Sequence, residues 1–333
     1  MDNNKPLETS FIHIIELIKS SRERAIRAVN NELIMLYWEV GKYISNKVQK
    51  AQWGDKIVYQ LADYIQNNEP ETKGFTRRNL YRMKQFYETY IDSEIVSTLL
   101  AQIPWSSHLH ILSKTKSFEE KEFYIKLAIK ERLSVRELAR QIDSGYFERA
   151  MLSSENVSSA LAQIHKGSGN VFKDTYVFEF LNLPEPYSES ELQKGILTNL
   201  RKFIIEFGRD FSFVGEYYRV QVGGNDYYID LLFYHRELQC LVAIELKIDD
   251  FKPEYIGKMN FYLEALDRDV KKENENPSVG LILCKSKNSE VVEYALSRNM
   301  SPTMISEYKT KLIDKKLLES KLHEFFDLVE NKK

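Results

Sequence analysis

Asp230, Glu245 and Lys247 are the residues of this chain whose types and spacing could do chemistry. They stand in two apolar runs, Tyr227 to Tyr234 and Cys240 to Lys247, separated by the polar segment His235 to Gln239. Runs of this kind read as strands, and the segment between them is short enough to close a hairpin that brings Asp230 beside Glu245. Side chains alternate faces along a strand, so Glu245 and Lys247 point the same way while Leu246 between them points opposite. Two carboxylates and an ammonium converging on one sheet face make a Mg²⁺ site with a cation built in. Mg²⁺ takes hard oxygen ligands and keeps several waters. Asp230 and Glu245 would supply carboxylate oxygens and the Leu246 main-chain carbonyl a third. Such an ion acidifies a water that attacks a phosphodiester and offsets charge developing on the phosphate. Mn²⁺ suits the same oxygen donors and is an expected substitute. Lys247 would orient the water, help it lose a proton, or hold the scissile phosphate, and the residues leave these roles open.

An isolated Glu-x-Lys is ordinarily the solvated edge of an amphipathic strand. The surroundings argue against that here. Leu241 and Ala243 share a face with Glu245 and Lys247, and Val242, Ile244 and Leu246 make the other face apolar as well. A strand apolar on both faces is a buried central strand. Charges at the end of such a strand need partners or a function.

Asp230 followed by Glu245-Leu-Lys247 and then a helix resembles the PD-(D/E)xK nuclease superfamily. Longer phrases make the resemblance narrower. They include Tyr-Tyr-Ile-Asp-Leu-Leu-Phe-Tyr-His (227–235), Phe-Lys-Pro-Glu-Tyr-Ile-Gly-Lys-Met-Asn-Phe-Tyr-Leu (251–263) and Gly-Leu-Ile-Leu-Cys (280–284). In the N-terminal half they are Leu-Tyr-Trp-Glu-Val-Gly (36–41), Phe-Thr-Arg-Arg-Asn-Leu (75–80), Gln-Ile-Pro-Trp-Ser-Ser-His (102–108) and Gln-Ile-Asp-Ser-Gly-Tyr-Phe-Glu-Arg (141–149). On these residues most of the chain is similar to the bacterial YhcG-like family, which joins a helical domain to such a nuclease domain. The resemblance implies a core of one helix, three antiparallel strands, a second helix and a further strand. It also implies a metal-shell role for Glu191 and a phosphate contact for Tyr262. Glu191 equally completes a capping box, Ser188-Glu-Ser-Glu191, and Tyr262 lies among core-like residues. Where the family usually has a glutamine this chain has Lys258, still polar and able to reach a phosphate.

The elements that must position these residues can be read independently. Glu189 to Glu206 has helical spacing of apolar residues. Phe213 to Val222 and Tyr227 to Tyr234 are strands joined by Gly223-Gly224-Asn225-Asp226. A helix starts after Pro253 and runs to Leu266, Ser278 to Cys284 is a strand, and Glu290 to Leu296 a helix. A last strand near Thr303 to Ile305 precedes an amphipathic helix, Lys315 to Glu330. Ahead of all this, residues 8–150 read almost wholly as helices: Phe11 to Val48, Lys56 to Ile65, Thr76 to Tyr90, Phe118 to Lys130 and Ser134 to Ser144. Trp38, Trp53 and Trp105 are the expected anchors of that half's core. Serines and a Lys-Gly-Ser-Gly-Asn run place a linker at 151–172, leaving 173–333 for the nuclease-like domain. The expected fold class is α+β: an all-helical N-terminal domain plus a restriction-endonuclease-like α/β core with a mixed central sheet flanked by helices.

Composition bounds the rest. At 333 residues and 43% hydrophobic content the chain can bury two cores. Two cysteines, both in expected strands, suggest neither a disulfide framework nor a zinc site. There is no signal-peptide run at the N-terminus and no stretch of apolar residues long enough for a membrane span, so a cytoplasmic location without membrane contact is expected. A net charge of −2 means that any nucleic-acid surface must be local. The best local candidate is the segment from Lys73 to Lys84, where Thr76 caps a helix carrying Arg77, Arg78 and Arg82. The reading is a Mg²⁺-dependent phosphodiesterase acting on DNA, with RNA left open. The helical domain would select substrate or a protein partner and pair two chains into a homo-oligomer. The alternative is a nucleic-acid-binding or assembly subunit that keeps the nuclease fold without turnover.

Overall fold

A computed structural model of the chain describes residues 5–50, 55–93, 99–153, 157–164 and 171–330. Two compact units divide between Ile142 and Asp143. The first is helical: α1 (Lys5–Gln49), α2 (Asp55–Asn68), α3 (Arg77–Tyr90), α4 (Trp105–Lys114), α5 (Phe118–Lys130) and α6 (Val135–Asp143). Its core is built where Tyr37 and Ile44 of α1 meet Leu80 and Met83 of α3, with Ile34 and Phe86 also buried. Gly41 stands at the crossing, where an added Cβ would lie 2.1 Å from the Met83 carbonyl oxygen, so no larger residue fits. Trp38 and Trp105 pack edge-on against Tyr87 and Phe86, with ring centroids 4.8 and 5.3 Å apart. Trp53 lies outside the described residues. A capping box opens α6: the Ser134 amide donates to Glu137 Oε2 at 2.7 Å.

The second unit carries α7 (Tyr146–Met151), α8 (Ser159–Ile164), β1 (Thr175–Val177), α9 (Glu189–Thr198), α10 (Leu200–Phe207), β2 (Phe211–Val222), β3 (Asn225–His235), β4 (Cys240–Leu246), α11 (Glu254–Asp269), β5 (Val279–Cys284), α12 (Ser289–Leu296), β6 (Thr303–Lys309) and α13 (Lys315–Glu330). One mixed sheet runs in the order β1-β6-β5-β4-β3-β2. Strands β2, β3 and β4 are antiparallel, whereas β4, β5, β6 and β1 pair in parallel. All seven residues of β4 are buried, as a strand apolar on both faces requires. Val242, Ile244 and Leu246 join a core with Leu192, Ile196 and Phe203 of α9 and α10. Leu241 and Ala243 join the opposite core with Met259, Leu263 and Leu266 of α11. The chain is therefore α+β, a helical unit and a sandwiched mixed sheet.

Three details differ from the sequence reading. The helix expected over Glu189 to Glu206 is two helices, because Asn199 leaves helical geometry (φ −111°, ψ 28°) and its side-chain amide turns back to the Gly195 carbonyl at 3.1 Å. The β2–β3 turn is only Gly223-Gly224, both at positive φ, and Asn225 and Asp226 already pair with Val222 and Gln221. The unit boundary falls before residue 150, and part of the segment expected as linker is structured: Val157 bridges Met304 and α8 follows. Residues 154–156 and 165–170 of that segment lie outside the described residues.

Arg149 explains why α7 belongs to the second unit. Its buried guanidinium donates to the Thr175 carbonyl at 2.7 Å and the Ser144 carbonyl at 3.2 Å, and pairs with Glu206 at 3.4 Å. Glu206 is fully buried and also receives the Val177 amide at 3.2 Å and the Lys173 ammonium at 3.5 Å. Removing one partner of a buried pair leaves the other charge uncompensated. Arg149→Ala is expected to destabilise the second unit by about 3 kcal/mol, read as an earlier denaturant midpoint of the sheet-containing transition.

Candidate active site

β4 ends at Leu246, and its register against β3, Leu231 opposite Ile244, carries Asp230 alongside the Glu245–Leu246 step. The main chain closes the junction: the Leu246 amide donates to Asp230 Oδ2 at 2.8 Å. Gln193 of α9 donates to the Asp230 carbonyl at 2.9 Å, pinning that strand from below. Glu245 is 1% exposed. Its Oε1 receives Lys247 Nζ at 3.1 Å and, more closely still, Lys258 Nζ from α11. Its Oε2 is buried without a hydrogen-bond partner. A buried carboxylate oxygen with no donor is costly, and it is the arrangement a bound cation would satisfy.

Lys247 is held three ways: Glu245 Oε1 at 3.1 Å, Glu189 Oε1 at 3.2 Å and the Leu246 carbonyl at 3.0 Å. Beyond the strand end its amide donates to the Leu283 carbonyl at 2.8 Å and its carbonyl accepts the Tyr308 hydroxyl at 3.1 Å. Burial favours the neutral amine, but the Glu245 and Glu189 carboxylates outweigh it, and the ammonium is held above the usual lysine range. For Asp230 a shift in the same upward direction favours the neutral form instead. Burial and then the neighbouring Glu245 charge push its carboxyl up to about 6, against the opposing pull of the Leu246 amide and the two lysines.

The remaining expected site residues are distributed as follows. Glu191 makes the contacts of a capping box: its Oε2 accepts the Ser188 amide and hydroxyl, each at 2.8 Å. The acid of α9 that reaches the site is Glu189, two residues earlier. The sequence motif Ser-Glu-Ser-Glu gave no signal for preferring it, since only the packing of α9 against the sheet selects the face. Tyr262 is buried and donates its hydroxyl to the Tyr228 carbonyl at 2.5 Å, a core position. Lys258 bonds Glu245 and lies 5.3 Å from the Tyr262 ring centroid. Among the described residues no cluster of three or more carboxylate, imidazole or thiol side chains gathers. A cation at Asp230 and Glu245 would thus lean on the main chain and water for its other ligands. Cys240 and Cys284 are buried free thiols.

In the helical unit, Thr76 caps α3 and accepts the Asn79 amide at 3.4 Å. Asn79 in turn accepts the Trp105 indole at 3.0 Å and donates to the Gly74 carbonyl. Arg78 and Arg82 line a groove with Gly74, Thr76, Ser106 and His110, and Arg82 donates to Gln85 at 2.8 Å. Arg77 departs from this pair, stacking its guanidinium on Tyr59 at 3.0 Å from the ring centroid. His108 is buried, its Nε2 on the Leu100 carbonyl at 2.8 Å, and burial pushes its imidazole down to about 4.

A mixed sheet bearing Asp230 on one strand and Glu245-Leu-Lys247 at the end of the next defines a nuclease domain of the PDDEXK class. Residues 169–323 match the family described as the YhcG PDDEXK nuclease domain, and residues 13–149 match the DUF1016 N-terminal domain. The chain is 31% identical to the Escherichia coli (strain K12) protein named "Putative nuclease YhcG", over 93% of this chain and 92% of that protein. The chain belongs to the YhcG family. Two solved structures share 18% identity with it. A repair endonuclease from Pyrococcus abyssi is matched over 37% of this chain and 50% of its own, with a TM-score of 0.26. EndoMS in its apo form is matched over 40% and 49%, with a TM-score of 0.25. Among the described residues no helix is long and apolar enough to cross a membrane.

The raised Asp230 carboxyl sets a pH dependence of stability. A group that holds its proton more tightly when folded loses stability as pH rises from its unfolded value to its folded one. With chelator present, Asp230→Asn is therefore expected to be more stable than the parent at pH 8, by on the order of 2 kcal/mol. The gap closes below about pH 4, where both forms of the parent are protonated. Thermal melts across that range check it, and a gap that widens on acidification contradicts the assignment.

Proposed function

We propose that this chain is a divalent-metal-dependent nuclease that hydrolyses phosphodiester bonds in DNA, using Asp230, Glu245 and Lys247. One observation carries the reading: Glu245 is buried with one oxygen unpartnered, beside a second carboxyl that resists ionisation in its company. Mg²⁺ or Mn²⁺ would be held by Asp230, Glu245 and the Leu246 carbonyl, and would supply Lewis-acid stabilisation of phosphate and an acidified water.

The chain's own residues do the rest. Asp230, fixed by the Leu246 amide and by Gln193, keeps one carboxylate oxygen in a set direction. Lys247 stays charged across the neutral range, so it acts as a cation that grips the scissile phosphate and orients water rather than as a base. Glu189 shares Lys247 with Glu245 and is the α9 acid we place at the site's rim. Lys258 neutralises Glu245 when phosphate and metal are absent and is free to turn to phosphate once Glu245 has a better partner. In the helical unit, Arg78 and Arg82 at the capped start of α3 would contact backbone phosphates. A helix N-terminus beside two guanidinia favours anions.

Purified protein on linear and branched DNA, with and without Mg²⁺ or Mn²⁺, tests the reading. Asp230→Ala and Lys247→Ala are each expected to lower turnover on the order of a thousandfold. Glu191→Ala is expected to lose about 1 kcal/mol of stability and keep turnover near the parent level. Mg²⁺ should raise the melting temperature of the parent but not of Asp230→Ala, since only a folded-state ligand stabilises. Tight DNA binding with no metal-induced shift and no cleavage would instead indicate a binding subunit. Arg78→Ala with Arg82→Ala is expected to weaken DNA binding at all sequences alike and to flatten its salt dependence by roughly two phosphate contacts.

A further inference from the structure

The first half of α1 is an amphipathic helix whose apolar side is left exposed by the described residues of its own chain. Phe11, Ile14, Ile15, Ile18, Ile26 and Val29 follow helical spacing and fall on one stripe. Each is about half exposed or more, from 49% at Ile15 and Ile18 to 68% at Ile26 and Val29. The helix joins its unit's core only further along, from Ile34 onward. Nineteen residues of helix make a ridge about 28 Å long, and contiguous apolar surface of that extent marks an interface.

We propose that this stripe pairs with the same stripe of a second copy of the chain, antiparallel, about a two-fold axis near Ser20. The charge pattern selects both occupant and direction. Arg22 is the one charged residue on the stripe. Parallel pairing would stack Arg22 on the partner's Arg22 in one layer, an unscreened like-charge contact. Antiparallel pairing about Ser20 sets Arg22 against Ile18 of the second copy, with its guanidinium able to reach water along its stem. The same register lays Phe11 against Val29, Ile14 against Ile26 and Ile15 against Ala25, so every large apolar residue of the stripe except Ile18 meets an apolar one. Lys19 and Glu23 flank the stripe on one side, both exposed, and neither makes an ion pair among the described residues. In this register Lys19 of each copy lies beside Glu23 of the other, twice by symmetry. A stripe matched to its own reverse in both apolar and charged positions has a second copy as its natural occupant.

Sedimentation equilibrium of the full chain tests the proposal, and circular dichroism checks that each variant stays helical. The parent is expected to dimerise, and Ile14→Glu with Ile18→Glu to weaken dimerisation by on the order of a hundredfold or more. Lys19→Glu alone makes positions 19 and 23 both acidic, and Glu23→Lys alone makes both basic. Each is expected to weaken its own homodimer about tenfold. An equimolar mixture should recover parent-like affinity as a heterodimer, which loss of a contact within one helix cannot produce. A monomeric parent at all concentrations overturns the proposal. So does a dimer indifferent to Ile14→Glu with Ile18→Glu, or a mixture in which the two charge variants fail to pair.

Discussion

The second unit is organised around one constraint: a carboxylate, Glu245, buried at the end of a fully enclosed strand of the sheet. An ionised carboxylate taken out of water is strongly unfavourable unless opposite charge and hydrogen-bond donors meet it. The fold meets half of that need. Oε1 has two ammonium groups, one from its own strand end and one from α11, while Oε2 has none. A well-packed apolar residue at position 245 would relieve the whole difficulty. An acid at that position fits the proposed metal site, and a second reluctant carboxylate next to it, Asp230, fits the same proposal.

What surrounds this pair is built for position rather than stability. Asp230 is set by two main-chain bonds, one through its side chain to Leu246 and one through its carbonyl from Gln193. Lys247 is gripped at both ends: its ammonium by two carboxylates and its carbonyl by Tyr308, whose ring is buried beneath it. Groups fixed by the sheet's own hydrogen bonds hold their geometry better than groups on loops. The adjoining helices complete the frame from both faces, α9 supplying Gln193 and Glu189 and α11 supplying Lys258. The site therefore depends on the sandwich as a whole and not on the hairpin alone.

Legibility in the sequence followed the range of the physics involved. Asp230, Glu245 and Lys247 were readable because strand alternation is local, and charge interrupting a doubly apolar run is conspicuous. The glycine pair at 223–224 was readable for the same reason. Glu189 was not: Ser188-Glu-Ser-Glu191 presents two acids, and only the packing of α9 against β4 decides which one faces Lys247. The break at Asn199 was hidden because the apolar spacing continues through it and the stop comes from one side-chain amide. Arg149 was grouped with the helices it follows in sequence, whereas its burial depends on Thr175 and Glu206, far along the chain. The three-residue β1 was missed as too short to carry a period.

The helical unit separates frame from surface within single sequence phrases. In Phe-Thr-Arg-Arg-Asn-Leu (75–80), Leu80 enters the core, Asn79 ties the Gly74 turn to Trp105, and Arg77 lies flat on Tyr59. Arg78 is the cation of that phrase that lines the groove, beside Thr76 and Asn79 and joined by Arg82 one turn on. The same separation runs along α1, where Gly41 is forced by the approach of α3 while the stripe from Phe11 to Val29 is left exposed by the described residues. Residues required by close packing can serve no second role without loss of the fold. Those that packing leaves on the surface, two guanidinia at a capped helix start and a self-complementary apolar ridge, are where this unit is free to bind something else.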